Sequence, residues 1–303
     1  MRFIFVALLV IAILWLNEQT RSHPQLRYNH VSDRLQHPFD TRLRYRIGEV
    51  DTRFGLTHQQ LKSLIQEATD IWTQGTGTDF FVYDAEAKLT INLIYDDRQM
   101  QSTQRHQQLG EIKQNQQNWA DQNQHLQQLK AEIDHINQII YSKKSQLDAQ
   151  VQHYNQNIAQ TNQYGAMHSS QHQLFLNQRE TLQQQTLELQ QEIGQYNQKI
   201  QQINHQVHQL NQMNHSLNQS IDQFNQRFKA KLFDKAIFNG EKIIIYEFSS
   251  TADLRLTLAH EFGHALGLQH NQDPQALMFA TMQKQDLENF KLTPADLALL
   301  NSR

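Results

Sequence analysis

No cysteine occurs anywhere in the 303 residues. Disulfides are therefore excluded, and the compartment cannot be read from them. Charge of one sign is also lacking: the formal net charge is -3. That gives no reason to expect nucleic acid as a partner. Hydrophobic residues make up only 38% of the chain, low for one uniformly globular body, so part of it is expected to lie outside a packed core.

The longest apolar run is at the N-terminus, where Arg2 precedes an uncharged stretch from Phe3 to Leu16. A membrane span needs about 20 apolar residues, or about 17 at the short end. The run fits the core of a signal peptide or a signal-anchor over residues 1–21, and no good small-x-small cleavage site follows it. An N-terminal hydrophobic helix is expected. Both versions export the rest of the protein, either anchored in the inner membrane and facing the periplasm or another extracytoplasmic side, or secreted after cleavage. Residues 22–40, with His23-Pro24 and His37-Pro38, read as a linker.

From residue 41 the pattern becomes globular. Arg44 to Val50 alternates as a strand, and Thr57 can cap a helix in which Leu61, Leu64, Ile65, Ala68 and Trp72 recur at helical spacing. Gly75-Thr76-Gly77 stops it. Phe80 to Tyr83 and Leu89 to Tyr95 read as two further strands. Residues 41–100 are the first part of one domain and 231–303 the second.

Between them, over 101–230, the composition shifts to glutamine, asparagine and histidine without proline. Such a tract reads as disorder by composition, but its periodicity argues for helix. Ile112, Trp119, Leu126, Ile133, Ile140, Leu147 and Tyr154 recur every seven residues. A second block runs from Phe175 through Leu182, Leu189, Tyr196, Ile203, Leu210 and Leu217 to Phe224, with companions such as Ile193, Ile200 and Val207. The blocks flank a break around Gly165. This predicts an antiparallel coiled-coil hairpin with its tip near that glycine and arms on the order of 80 Å long. Gln116, Asn123 and Asn137 are expected as polar interruptions of the seam. Scattered histidines such as His125, His135 and His205 are read as solvent-facing surface. The seam also offers a surface for a protein partner or for self-association.

The chemistry is concentrated in HEFGHALGLQH. His260 and His264, four apart, share one helix face and can reach one metal ion, with Glu261 beside them. Gly267 permits a sharp turn that swings His270 back as a third ligand. Three neutral nitrogens leave a fourth tetrahedral position for water, and Glu261 is placed to take its proton as it attacks a carbonyl. The metal expected is Zn2+.

HExxHxxGxxH followed by Ala276-Leu277-Met278 resembles the metzincin metalloproteases, whose Met-turn lies beneath the zinc. Met278 is followed by Phe279 and Ala280, without the additional tyrosine ligand of the astacin-like branch. HNQDPQALM (His270 to Met278) and YRIGEVDTRFGLTHQQL (Tyr45 to Leu61) are similar to the matrixins, bacterial ones included. The resemblance implies an α+β catalytic domain, a twisted mixed sheet with helices, here interrupted by the hairpin. It also implies that Ile243 to Phe248 is the edge strand bordering the cleft. Ser250 with Asp253 resembles a capping box for the active helix, and Thr293-Pro294-Ala295-Asp296 starts the closing one. Matrixins usually carry tyrosine and proline after the methionine, so Phe279 and Ala280 imply a different pocket wall. Without cysteine, the prodomain thiol that blocks zinc in animal matrixins has no counterpart. The function implied is zinc metalloendopeptidase, with peptides or proteins as substrates. Two alternatives are an envelope scaffold that uses the hairpin beside a vestigial zinc site, and a zinc hydrolase of a non-peptide substrate.

Overall fold

The computed structural model of the chain describes residues 2–163, 169–229, 233–282 and 284–303. They form two compact units, one of Met1–Gln107 with Ala230–Arg303 and one of Gln108–Lys229.

In the first unit, β1 (Leu43–Val50), β2 (Phe81–Tyr83), β3 (Leu89–Leu93), β4 (Ala236–Phe238) and β5 (Lys242–Ile245) make one five-stranded sheet of order β2-β1-β3-β5-β4. All neighbours are parallel except β4, which runs antiparallel to β5. β3 lies at the centre and is buried at every position, with Leu89, Ile91 and Leu93 on one face and Thr90 and Asn92 on the other. β5 pairs on both sides, so the expected edge strand is an interior one, and the edge is β4 instead. The reversal is local: Asn239 Oδ1 accepts from the N–H groups of Glu241 and Lys242 at 3.1 and 2.9 Å, and this turn folds three residues back along β5.

α3 (His58–Thr76) opens with a reciprocal capping box between Thr57 and Gln60 and buries Leu61, Ile65, Ala68 and Trp72 along one stripe. That stripe meets α6 (Thr251–Ala265), and both helices share a core with Ile47, Ile91 and Ile243 of the sheet. Each such aliphatic side chain contributes roughly 1.5–3 kcal/mol on burial. Trp72 is fully buried, and its indole N–H donates to the Ala259 carbonyl at 2.9 Å. α7 (Pro294–Asn301) starts where the sequence places it, with Thr293 and Asp296 in a capping box.

α1 (Arg2–Ser22) precedes the sheet, and no helix among the described residues is long and apolar enough to cross a membrane. Residues 22–40 are not a free linker. They form a 3-10 turn, Pro24–Tyr28, and a short helix α2 (Val31–Gln36), with Gln25, Leu26, Asn29 and Arg34 buried. The reason lies in polar side chains that mimic backbone. Asn29 donates to the Arg42 carbonyl and accepts from the Arg44 N–H, 2.9 and 2.8 Å, thereby extending β1's bonding by one partner. Arg34 holds the end of α1 through the Leu16 carbonyl and Gln19.

The second unit is built from α4 (Asp97–Gln163), from Gln108 onward, and from α5 (Ser169–Arg227). Leu126, Ile133, Ile203 and Leu210 form its buried cluster, flanked by Trp119, Leu129, Tyr196, Ile200 and Val207. Lys143 pairs with Glu192, Glu132 with Lys199, and the Tyr154 ring meets Phe175. The partner number falls as the first rises, so the helices are antiparallel. The tip expected near Gly165 lies outside the described residues. Two expected polar seam positions are corrected: Gln116 and Asn137 face solvent, while Leu129 and Ile136 turn inward. The apolar seam is thus more continuous than a strict seven-residue count suggests.

Replacing Ile133 by Asn should cost the hairpin about 2–5 kcal/mol, by loss of burial and of a filled site. Asn137→Ala should stay within about 0.5 kcal/mol. Urea titrations followed by far-UV circular dichroism check both.

Candidate metal centre

α6 is buried on nearly all sides, so its polar groups need internal partners. Ser250 caps it by accepting from the Asp253 N–H, but the expected capping box is only half present. The Asp253 carboxylate instead accepts from the Ser249 N–H and hydroxyl, both at 2.8 Å, and from Lys235 Nζ at 2.7 Å. Its Oδ2 is thus filled by a cation, a hydroxyl and the N–H one residue ahead of the cap, and it does not bond the Ser250 N–H.

The two helical histidines come out on one face, as their spacing requires. After Ala265 the chain leaves the helix through Gly267, whose φ of 93° lies in the left-handed region. The Leu268 N–H returns to the Gly263 carbonyl at 3.1 Å, and His270 is carried back to the other two rings. One ligand nitrogen from each of His260, His264 and His270 lies within 4.8 Å of the others. His260 Nε2 and His270 Nε2 stand 3.3 Å apart. Two nitrogens on one tetrahedral zinc, at about 2.0–2.1 Å each, would stand about 3.3–3.4 Å apart.

The remaining ring nitrogens are spoken for. His260 Nδ1 is 2.6 Å from the Leu277 carbonyl and His264 Nδ1 is 2.8 Å from that of Leu268. Each carbonyl can only accept, so Nδ1 carries the proton and Nε2 is left as the free lone pair. Burial pushes the His260 pKa down to about 4 and lowers that of His264. Both rings are thereby kept neutral, the form that binds metal. The donor set fits zinc: three imidazoles and no thiolate.

Glu261 is buried beside the triad. Burial pushes its pKa up to about 7, against the opposing hydrogen bond from the Phe238 N–H of β4. Below the rings, Met278 is fully buried. A Cβ at Gly263 would stand 2.3 Å from Met278 Sδ and 2.9 Å from a Trp72 ring carbon, so only glycine lets the methionine approach the helix so closely.

Two residues at this centre were not legible as such. Gly263 sits inside the motif, and a glycine in a buried helix interior, which costs about 1 kcal/mol relative to alanine, is the signal that could have marked it. Asp296 reads from sequence only as part of a helix start. Fully buried, it also accepts from the N–H groups of Leu277 and Met278 at 2.9 and 3.0 Å. It therefore fixes the loop whose Leu277 carbonyl orients His260.

Helix, left-handed turn, third histidine and buried methionine together define a metzincin-type centre. A family model described as Matrixin matches residues 37–302, and the chain belongs to that family. Its members are zinc enzymes, and the histidine triad is consistent with a zinc site. Matrilysin of Felis catus is 53% identical over 38 residues, 12% of this chain and 14% of that protein. Matrix metalloproteinase-16 of Homo sapiens is 51% identical over 45 residues, 15% and 7% of the two chains. Macrophage metalloelastase of Oryctolagus cuniculus is 46% identical over 50 residues, 16% and 11%. These matches cover only a small part of each relative's length.

Elemental analysis of the reconstituted protein should give one zinc per chain, and His264→Ala should lose most of it, because two imidazoles do not close the site. Gly263→Ala should cost about 1–3 kcal/mol by overpacking against Met278 and Trp72, read as a shift of the urea midpoint.

Proposed function

We propose that this matrixin is a zinc-dependent endopeptidase in which Glu261 is the general base and His260, His264 and His270 hold the metal. The observation that carries the proposal is the position of Glu261: buried, next in the chain to His260, and on the helix that packs against β4, the sheet's antiparallel edge strand. An extended peptide adds to such an edge through main-chain hydrogen bonds, so substrate backbone and base share one strand as their reference. Zinc, when bound, supplies Lewis acidity and lowers the pKa of a water to about 7. The buried Glu261 carboxylate would take a proton from the attacking water and return it to the leaving amine. A scaffold with a vestigial site has no use for a buried carboxylate beside the ligands, which supports the enzyme reading over that alternative.

Export is also proposed, with the N-terminal segment acting as signal-anchor or removed signal. The support is the uncharged run from Phe3 to Leu16 behind Arg2, together with the exposure of Val10, Ile11, Ile13 and Leu14.

The wild-type chain should cleave members of a diverse peptide library, and a chelator should abolish cleavage. Glu261→Ala should keep its zinc but lose turnover by on the order of 10²- to 10⁴-fold. Equal turnover in the variant would remove Glu261 from the reaction.

A further inference from the structure

The two backbone features next to the reacting groups are the turn at Gly267, which delivers His270, and the edge strand β4, which packs against the helix that carries Glu261. One segment faces both. A Cβ at Gly267 would stand 3.6 Å from Pro24 Cβ and 3.7 Å from Arg27 Nη2, so the 3-10 turn at Pro24–Tyr28 faces the ligand turn across a gap no wider than a methyl group. Tyr28 meets the Phe238 ring edge-on, with centroids 5.0 Å apart and planes at 88°, and its ring edge also reaches the turn at Gly240.

The segment is itself firmly seated. Leu26 is fully buried, Gln25 donates to the Thr41 carbonyl at 3.0 Å, and Asn29 is bound to the start of β1. Arg303 links it to the end of the active helix from the other side, through the Leu266 carbonyl at 3.1 Å and Gln25 Oε1 at 3.5 Å. A linker with no role at the site has no reason to bury a leucine and two amides there.

We propose that residues 23–30 are a strap that holds the third-ligand turn and the edge strand β4 in register, with Tyr28 the positioning residue on the edge-strand side and Pro24 and Arg27 on the ligand side. The inference rests on the endopeptidase reading for its kinetic consequence. It also sets a limit on processing: a leader removed ahead of His23 leaves the strap whole, and one removed beyond it does not.

In the full-length, zinc-loaded chain, Tyr28→Ala should lower kcat for a cleaved peptide by on the order of 10-fold or more with KM little changed, since small displacements of reacting groups are costly. Tyr28→Phe, which keeps the ring, should restore it. Pro24→Gly should release zinc faster than wild type to a coloured chelator; if it does not fold, Arg27→Ala removes the neighbouring contact and is read the same way. A purely structural role would lower the melting temperature of Tyr28→Ala and leave kcat per folded, zinc-loaded chain unchanged. Wild-type kcat in Tyr28→Ala, or wild-type zinc release in the ligand-side variant, overturns the strap. If the wild type cleaves no peptide at all, the endopeptidase reading falls, and the zinc-release measurement alone decides the strap.

Discussion

The 2.6 Å contact between His260 Nδ1 and the Leu277 carbonyl is the interaction on which the centre depends. It sets the tautomer of the most deeply buried imidazole and turns its free nitrogen toward the other two. The carbonyl has no regular secondary structure to hold it. Its loop is fixed instead by Asp296, whose carboxylate collects the N–H groups of Leu277, Met278 and Thr293. A capping residue on the last helix thus reaches, through one loop, to the metal face of α6. The arrangement costs little because Asp296 must be satisfied anyway: a fully buried carboxylate needs several donors, and the helix start alone does not supply enough.

How much of this the sequence displays follows from the range of each interaction. The active helix and its left-handed turn are legible because their determinants lie within eleven consecutive residues, where helical spacing and one glycine decide the geometry. The strap is not. His23-Pro24 and His37-Pro38 look like punctuation, and the turn at Pro24–Tyr28 is seated against β1 and Arg303, residues that no local pattern reveals. β4 escapes for a different reason: three residues carry no period, and only the Asn239 turn hints that the chain doubles back before β5. The second role of Asp296 is likewise a contact across eighteen and nineteen positions.

In the hairpin, heptad counting finds the right seam and misplaces two of its companions. The first seam residues are separated by seven, but the inward companion is reached in steps of three as well as four, so Ile136 and Asn137 both fit the count. Energy then chooses. Turning Ile136 inward removes apolar area from water, and turning Asn137 inward would bury an amide with several unmet hydrogen bonds, so the helix takes the first. Glutamine and asparagine on the outer faces meet no such penalty, because water satisfies them. A composition that reads as disordered can therefore sustain two long helices, provided that one narrow stripe stays apolar.

An insertion of this length inside a catalytic domain must not spread the ends between which it sits. The chain leaves β3 and returns to β4 through residues that bind one another within the first unit. The Gln99 side chain donates to the Phe248 carbonyl and accepts from its N–H, at 3.1 and 2.9 Å, as a neighbouring strand would. Ser102 donates to Glu247 at 2.6 Å, and Arg98 donates to the Asp234 carbonyl while its guanidinium lies over the Tyr246 ring. These contacts flank β5 and the entry to α6, and they close the loop at its base in the first turns of α4, within the first unit. The entropy of loop closure grows only slowly with length, so once the base is clamped, further helical turns beyond it add almost nothing to the cost. The clamp therefore accounts for how β4, which carries the Phe238 N–H, keeps its place on the sheet although more than a hundred residues separate it from β3.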